Sequence, residues 1–178
     1  LARTEEPLAI ISPPGGADRI RAAFSLAYPD VAGPDWPRPL IFAEADDGVT
    51  ATVNGLTYTP VAMEHGGMAA FGYRLALPDG LLAYSGDARM TDHIFTLLDG
   101  ARAAILEAAS AEESPVHLGL RDLREILARV SPDCTVVLTH LDTPDAAAWA
   151  ALPAIIPHDR QTVVLSEPPG APPEVRHD

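Results

Sequence analysis

From Leu40 onward, tight-turn signals cut the chain into apolar segments too short to be anything but strands, and this punctuation limits the fold more than any other feature. Leu40 to Glu44 lies between a loop with four prolines, Tyr28 to Pro39, and the turn Asp46-Asp47-Gly48. Thr50 to Val53, Leu56 to Met63 and Phe71 to Leu77 follow as strands, and Asn54-Gly55 joins the first two in a tight hairpin. Pro78-Asp79-Gly80 then turns the chain into Leu81 to Tyr84. Past residue 90 the pattern changes. Thr91 reads as the cap of a helix through Ile94, Phe95, Leu97 and Leu98, stopped by Gly100. Ala103 to Leu106 is a strand, and Leu120, Leu123, Leu127 and Val130 trace one face of a helix ending near Ser131-Pro132. Thr135 to Leu138, a helix over Asp145 to Ala151, and Thr162 to Leu165 complete this part. Upstream, Leu8 to Ile11 is a strand, and Ile20, Ala23, Phe24 and Ala27 mark a helix from Ala17 to Ala27.

Hairpins followed by alternating strand and helix predict an α/β fold of the layered kind, a sandwich and not a purely parallel sheet. With 178 residues, 47% apolar and 21% charged, the chain suits one soluble domain, expected over residues 1–165 with a loosely held Pro-rich tail over 166–178. No run approaches the roughly 18 apolar residues that span a bilayer, so no membrane partner is expected. The N-terminus has neither an initiator Met nor an apolar signal core, and its start on Leu1 reads as the interior of a longer protein. The net charge is −13 and all twelve basic residues are arginine, which argues against binding by phosphate neutralisation. The single cysteine, Cys134, excludes an internal disulfide and is compatible with a cytoplasmic location; its apolar neighbours predict a buried small hydrophobe.

Three ionisable residues stand just past apolar strands: His65 after Leu56 to Met63, Asp87 after Leu81 to Tyr84, and His140 after Thr135 to Leu138. Strand ends hold side chains rigidly and let distant parts of a chain converge, and imidazole and carboxylate are ligands for a hard or borderline cation. Taken singly, each has a plainer reading, as a loop or capping histidine or a turn aspartate.

The motifs around them are more specific as a set. Met63-Glu64-His65-Gly66-Gly67 followed by Phe71-Gly72-Tyr73-Arg74-Leu75 resembles the "H…GYR" segment of ribonuclease Z and its relatives. Tyr84-Ser85-Gly86-Asp87-Ala88-Arg89 is similar to their "YSGDTR", with Ala88 in place of Thr. Ala103 to Ala108 resembles the "LLIHEA" strand, with Leu106 where His is common, and His117 followed by Val136 to Leu141 matches "H…LVLTHL". The order and spacing hold from about Pro7 to Leu141, which points to the C-terminal half of an αββα metallo-β-lactamase sandwich of the ribonuclease Z-like branch. The resemblance implies two-metal hydrolysis of a phosphodiester or related ester, with zinc, or alternatively manganese, as the pair of divalent cations. It makes His65 a ligand of the first metal, Asp87 the bridging carboxylate and His140 a ligand of the second. His117 becomes a proton donor or transition-state contact, although its neighbours also suit a simple helix entry. Arg89 either orients substrate or pairs with a local carboxylate. Tyr73 and Arg74 lie on a strand, where packing is their default role. His93, His158 and His177 match nothing and are read as solvent-facing.

The family's HxHxDH motif, which supplies further ligands to both metals, is absent; no H-x-H occurs in the chain. The sequence is therefore a fragment, or a second chain supplies the other half, or the domain is a non-catalytic relative. These 178 residues alone are expected to be inactive. Only nine residues separate Arg74 from Tyr84, where bacterial ribonuclease Z usually inserts an arm that grips transfer RNA. With the acidic balance, that favours a ribonuclease Z-like hydrolase of unassigned substrate over transfer-RNA 3′ processing. The candidate partners are a small-molecule or nucleic-acid phosphodiester and, in a homodimer, a second copy of the chain.

Overall fold

The computed structural model describes residues 7–29, 39–141, 146–164 and, as backbone, 174–177. The first unit is a strand–helix–strand: β1 (Leu8–Ser12), α1 (Gly16–Ala27) and β2 (Leu40–Glu44), with β1 and β2 paired in parallel. A six-stranded sheet follows, built from β3 (Ala51–Val53), β4 (Leu56–His65), β5 (Met68–Leu77), β6 (Gly80–Tyr84), β7 (Ala101–Glu107) and β8 (Thr135–Thr139), paired in chain order. Tyr73 on β5 donates a 3.5 Å hydrogen bond to the Ile11 carbonyl, linking β1 to this sheet.

The direction of each strand positions the site. β3 to β6 are antiparallel neighbours, whereas β6, β7 and β8 are parallel. Two reversals bring β4 back to the direction of β6. The carboxyl ends of β4, β6, β7 and β8 therefore share one sheet edge, the place where open α/β sheets bind ligands.

The parallel strands need crossovers, which α2 (His93–Leu98) and α3 (Leu120–Arg129) provide. Ile94 and Leu97 of α2, and Leu123 and Ile126 of α3, are fully buried against Leu106 of β7 and Leu138 of β8. Each such side chain contributes roughly 2 kcal/mol through the apolar surface it removes from water. Trp149 of α4 (Ala146–Ala150) joins the same core, and the Ile155 backbone bonds on both sides to β8, at Val136 and Leu138, covering the outer edge of that strand.

The predicted elements all recur among the described residues, with shifted ends. Asn54 and Gly55 take φ of 48° and 80°, as the hairpin requires. The expected Thr91 cap is corrected. α2 begins at His93 behind Asp92, and the buried Thr91 hydroxyl has no hydrogen-bond partner. The tail also differs from the expected loose segment. The backbone of β10 (Glu174–His177) pairs antiparallel with β9 (Gln161–Val164). The rest of that tail, Leu165 at the end of the predicted last strand, residues 30–38 of the predicted proline-rich loop, and Asp145 at the head of the predicted fourth helix lie outside the described residues. Among the described residues no helix is long and apolar enough to cross a membrane.

Candidate metal centre

His65, Asp87, His117 and His140, separated by up to 75 positions, meet at the shared sheet edge. His65 is the last residue of β4. Asp87 follows β6 by way of Gly86, whose φ of +58° turns the chain sharply. A Cβ there would also come within 3.2 Å of the Phe71 carbonyl oxygen, so glycine fits this position best. His140 follows β8 directly and itself sits at φ 59°, an uncommon conformation in which histidine is nevertheless over-represented. His117 comes from the loop between β7 and α3, where its backbone N–H bonds the Ser114 hydroxyl at 3.2 Å.

One ligand atom from each of Asp87, His117 and His140 falls within 4.8 Å of the others. The His140 Nδ1 lies 3.2 Å from the Asp87 Oδ1. His65 stands outside this trio but close to it, its ring centre 4.9 Å from that of His117. The His65 Nδ1 is 3.0 Å from the Val116 carbonyl oxygen, so Nδ1 carries the proton and Nε2 is left with its lone pair. Two imidazoles and a carboxylate with donor atoms within 4.8 Å of one another are the kinds of ligand that zinc or a similar divalent ion takes.

Glu107, the last residue of β7, was given no role in the sequence reading, yet it ties the site together. Its side chain is 1% exposed. It accepts a 2.5 Å hydrogen bond from the Ala88 N–H and lies 3.0 and 3.1 Å from the His117 Nδ1. The His140 Nδ1 is 3.7 Å away. Burial raises the Glu107 pKa, while the Ala88 N–H and His117 pull it back down. Ser85, also buried, accepts from the Glu107 N–H at 3.0 Å and donates to the Gly86 carbonyl at 2.7 Å, so β7 and the Asp87 loop are fastened together. The signal for Glu107 was present in the sequence as a carboxylate closing an otherwise apolar strand.

The remaining candidates have structural partners. Arg89 pairs with Glu64 through Nε at 2.7 Å, and its backbone N–H donates to the Glu64 carbonyl. Arg74 donates to the carbonyls of Thr96 and Leu97, satisfying the end of α2. His93 is exposed but bonded to the Ala62 carbonyl at 2.7 Å, and His158 is exposed. The His177 backbone lies on β10.

Residues 1–141 match the model of the Beta-lactamase superfamily domain, and the chain belongs to that family. Among solved structures, a diphosphatase from the PhnP family superposes with a TM-score of 0.62 at 18% identity, covering 84% of this chain and 54% of that one. The metallo-beta-lactamase fold protein YhfI from Bacillus subtilis gives 0.57 at 15%, covering 76% and 53%. The short form of human tRNase Z gives 0.56 at 14%, covering 79% and 62%. The fold is thus that of the metallo-β-lactamases, and the chain spans a little over half the length of these relatives. No curated protein matches.

Proposed function

We propose that this chain is part of a metal-dependent hydrolase of phosphodiesters or related esters, and the observation that carries the reading is the convergence of Asp87, His117 and His140 over the buried Glu107. Asp87 and His140, with His65 beside them, are the residues that would hold divalent cations, zinc foremost. Bound there, such ions supply Lewis acidity to a phosphoryl oxygen and lower the pKa of water. These ligands are too few to close two coordination shells, so the dinuclear site is completed by residues outside this sequence, and the chain alone does not turn over substrate. His117 is the proton carrier: with Nδ1–H directed at Glu107, its Nε2 faces away from the carboxylate, which stabilises the imidazolium that gives a proton to the leaving oxygen.

Transfer-RNA processing has less support. β5 and β6 are joined by a tight turn, Leu77 pairing with Gly80, with no arm between them. The charge of −13 also opposes a long polyanion.

Hydrolysis of bis(p-nitrophenyl) phosphate by the intact zinc-loaded protein tests the reading. Asp87→Ala should lower kcat about 10²–10³-fold, the scale of losing a group that stabilises the transition state. An intact protein that binds no zinc or manganese and shows no hydrolysis would be a non-catalytic relative, and one that hydrolyses the ester equally well without Asp87 would not use this site.

A further inference from the structure

Beside the metal centre, and sharing His65 with it, a groove of about 440 Å³ runs under the β4–β5 hairpin tip. That volume lies within the range of sites that hold one small organic group. Its walls are Met63, Met68, the Gly66-Gly67 turn and Pro115, and among the described residues the only full charges lining it are Glu64 and Arg89. These two form an ion pair, each side chain about half exposed, in which the Arg89 Nε and Nη2 both engage Glu64 Oε2.

From this we infer that the groove receives an uncharged polar portion of the substrate, of sugar or nucleoside size, and that the Glu64–Arg89 pair rejects a second phosphate there. Calling the occupant a substrate portion rests on the hydrolase reading. The physical case is one of charge. An unpaired arginine beside a phosphodiester site would be an anion hook; here a carboxylate within hydrogen-bond distance cancels it. A second phosphate entering the groove would meet Glu64 as a like charge, in a protein already at −13. A hydroxyl-bearing or heterocyclic group meets no such barrier. Glu64 can accept from its O–H or N–H groups, the guanidinium can donate to its carbonyl or hydroxyl oxygens, and the methionines and Pro115 supply apolar contact.

Isothermal titration of the full 178-residue chain, in chelator so that no metal captures phosphate, tests this with thymidine and thymidine 3′,5′-bisphosphate as probes. Thymidine should bind about tenfold more tightly than the bisphosphate, and Glu64→Gln, which leaves Arg89 uncompensated, should cut that preference to about threefold or reverse it. Circular dichroism confirms that the variant is folded, and Arg89→Gln provides a second variant, expected to widen the preference. Equal or tighter binding of the bisphosphate by the parent chain overturns the inference. So does an absence of saturable thymidine binding, or a preference that neither variant moves. None of these measurements needs turnover, whereas the bis(p-nitrophenyl) phosphate assay on the intact protein tests hydrolysis, so each reading can fail without the other.

Discussion

A carboxylate closed off from water keeps its place only if donors replace its hydration, and at Glu107 the Ala88 N–H and the His117 ring do so. Those donors come from the loops after β6 and β7, so the residue that orients His117 also fixes the backbone one position beyond Asp87. Cys134 shows the opposite case, an ionisable group with desolvation and no compensating charge. Burial pushes its thiol up from 9.0 to about 11. The thiolate fraction at pH 8 is then about 100-fold below that of a free cysteine, so iodoacetamide should label the native chain about 100 times more slowly than the chain in urea. The sign for stability follows: folding favours the neutral thiol, so this contribution is intact below pH 9 and is lost as pH rises through about 11. Comparable labelling of native and unfolded chain would contradict the burial. The sequence pointed to a buried small hydrophobe here, and the structure makes Cys134 partly buried against the core. The sequence also pointed to His65, Asp87 and His140, each at the end of an apolar strand. It could not point to Glu107 as an orienting group, because that role depends on Ala88 and His117, neighbours only in the fold.

Among the secondary-structure elements, turn chemistry and apolar periodicity located the strands and helices, while their exact ends answered to tertiary contacts. β4 runs on to His65 because the Glu64–Ala69 and His65–Met68 pairs extend the ladder past the last apolar residue. α2 starts at His93 although Thr91 offers the better capping side chain, since that side chain is buried. The pairing of β10 with β9 was hidden for a similar reason: prolines before Glu174 signal a loop, and nothing local announces a distant partner strand. Gly72 shows the same dependence inside β5. A Cβ at this position would stand 2.8 Å from the Met63 Cε, 3.0 Å from the Tyr84 carbonyl oxygen and 3.1 Å from the Leu97 Cδ1. The methionine can swing aside, but the Tyr84 carbonyl belongs to the neighbouring strand and cannot. Gly72→Ala should therefore destabilise the chain by about 1–3 kcal/mol, the usual cost of overpacking, read from urea unfolding at unchanged m-value. A neutral result would mean that β5 and α2 are packed less closely than the structure places them.

Over the whole molecule, four strands running the same way bring side chains from 75 positions of sequence to one edge, and that arrangement should be measurable as a link between cation binding and folding. In the unfolded chain His65, Asp87 and His140 are independent weak ligands; folding brings them to one sheet edge, with the His140 Nδ1 3.2 Å from the Asp87 Oδ1. A cation that binds only the folded chain stabilises it by RT ln(1 + [L]/Kd), about 2.7 kcal/mol at one hundred times Kd. For a chain of this size each kcal/mol moves Tm by about 2–4 °C, so saturating zinc should raise it by about 5–11 °C. Chelator should reverse the shift. Asp87→Ala and His140→Ala should each remove most of it, while His158→Ala, exposed and outside the donor cluster, should leave it whole. Magnesium should do less, since it prefers oxygen ligands and two of the three donors here are imidazole nitrogens. A zinc-induced shift that survives loss of Asp87 would place the binding elsewhere on an acidic surface. No shift with any dication would mean that the three donors, though close, do not form a coordination site by themselves.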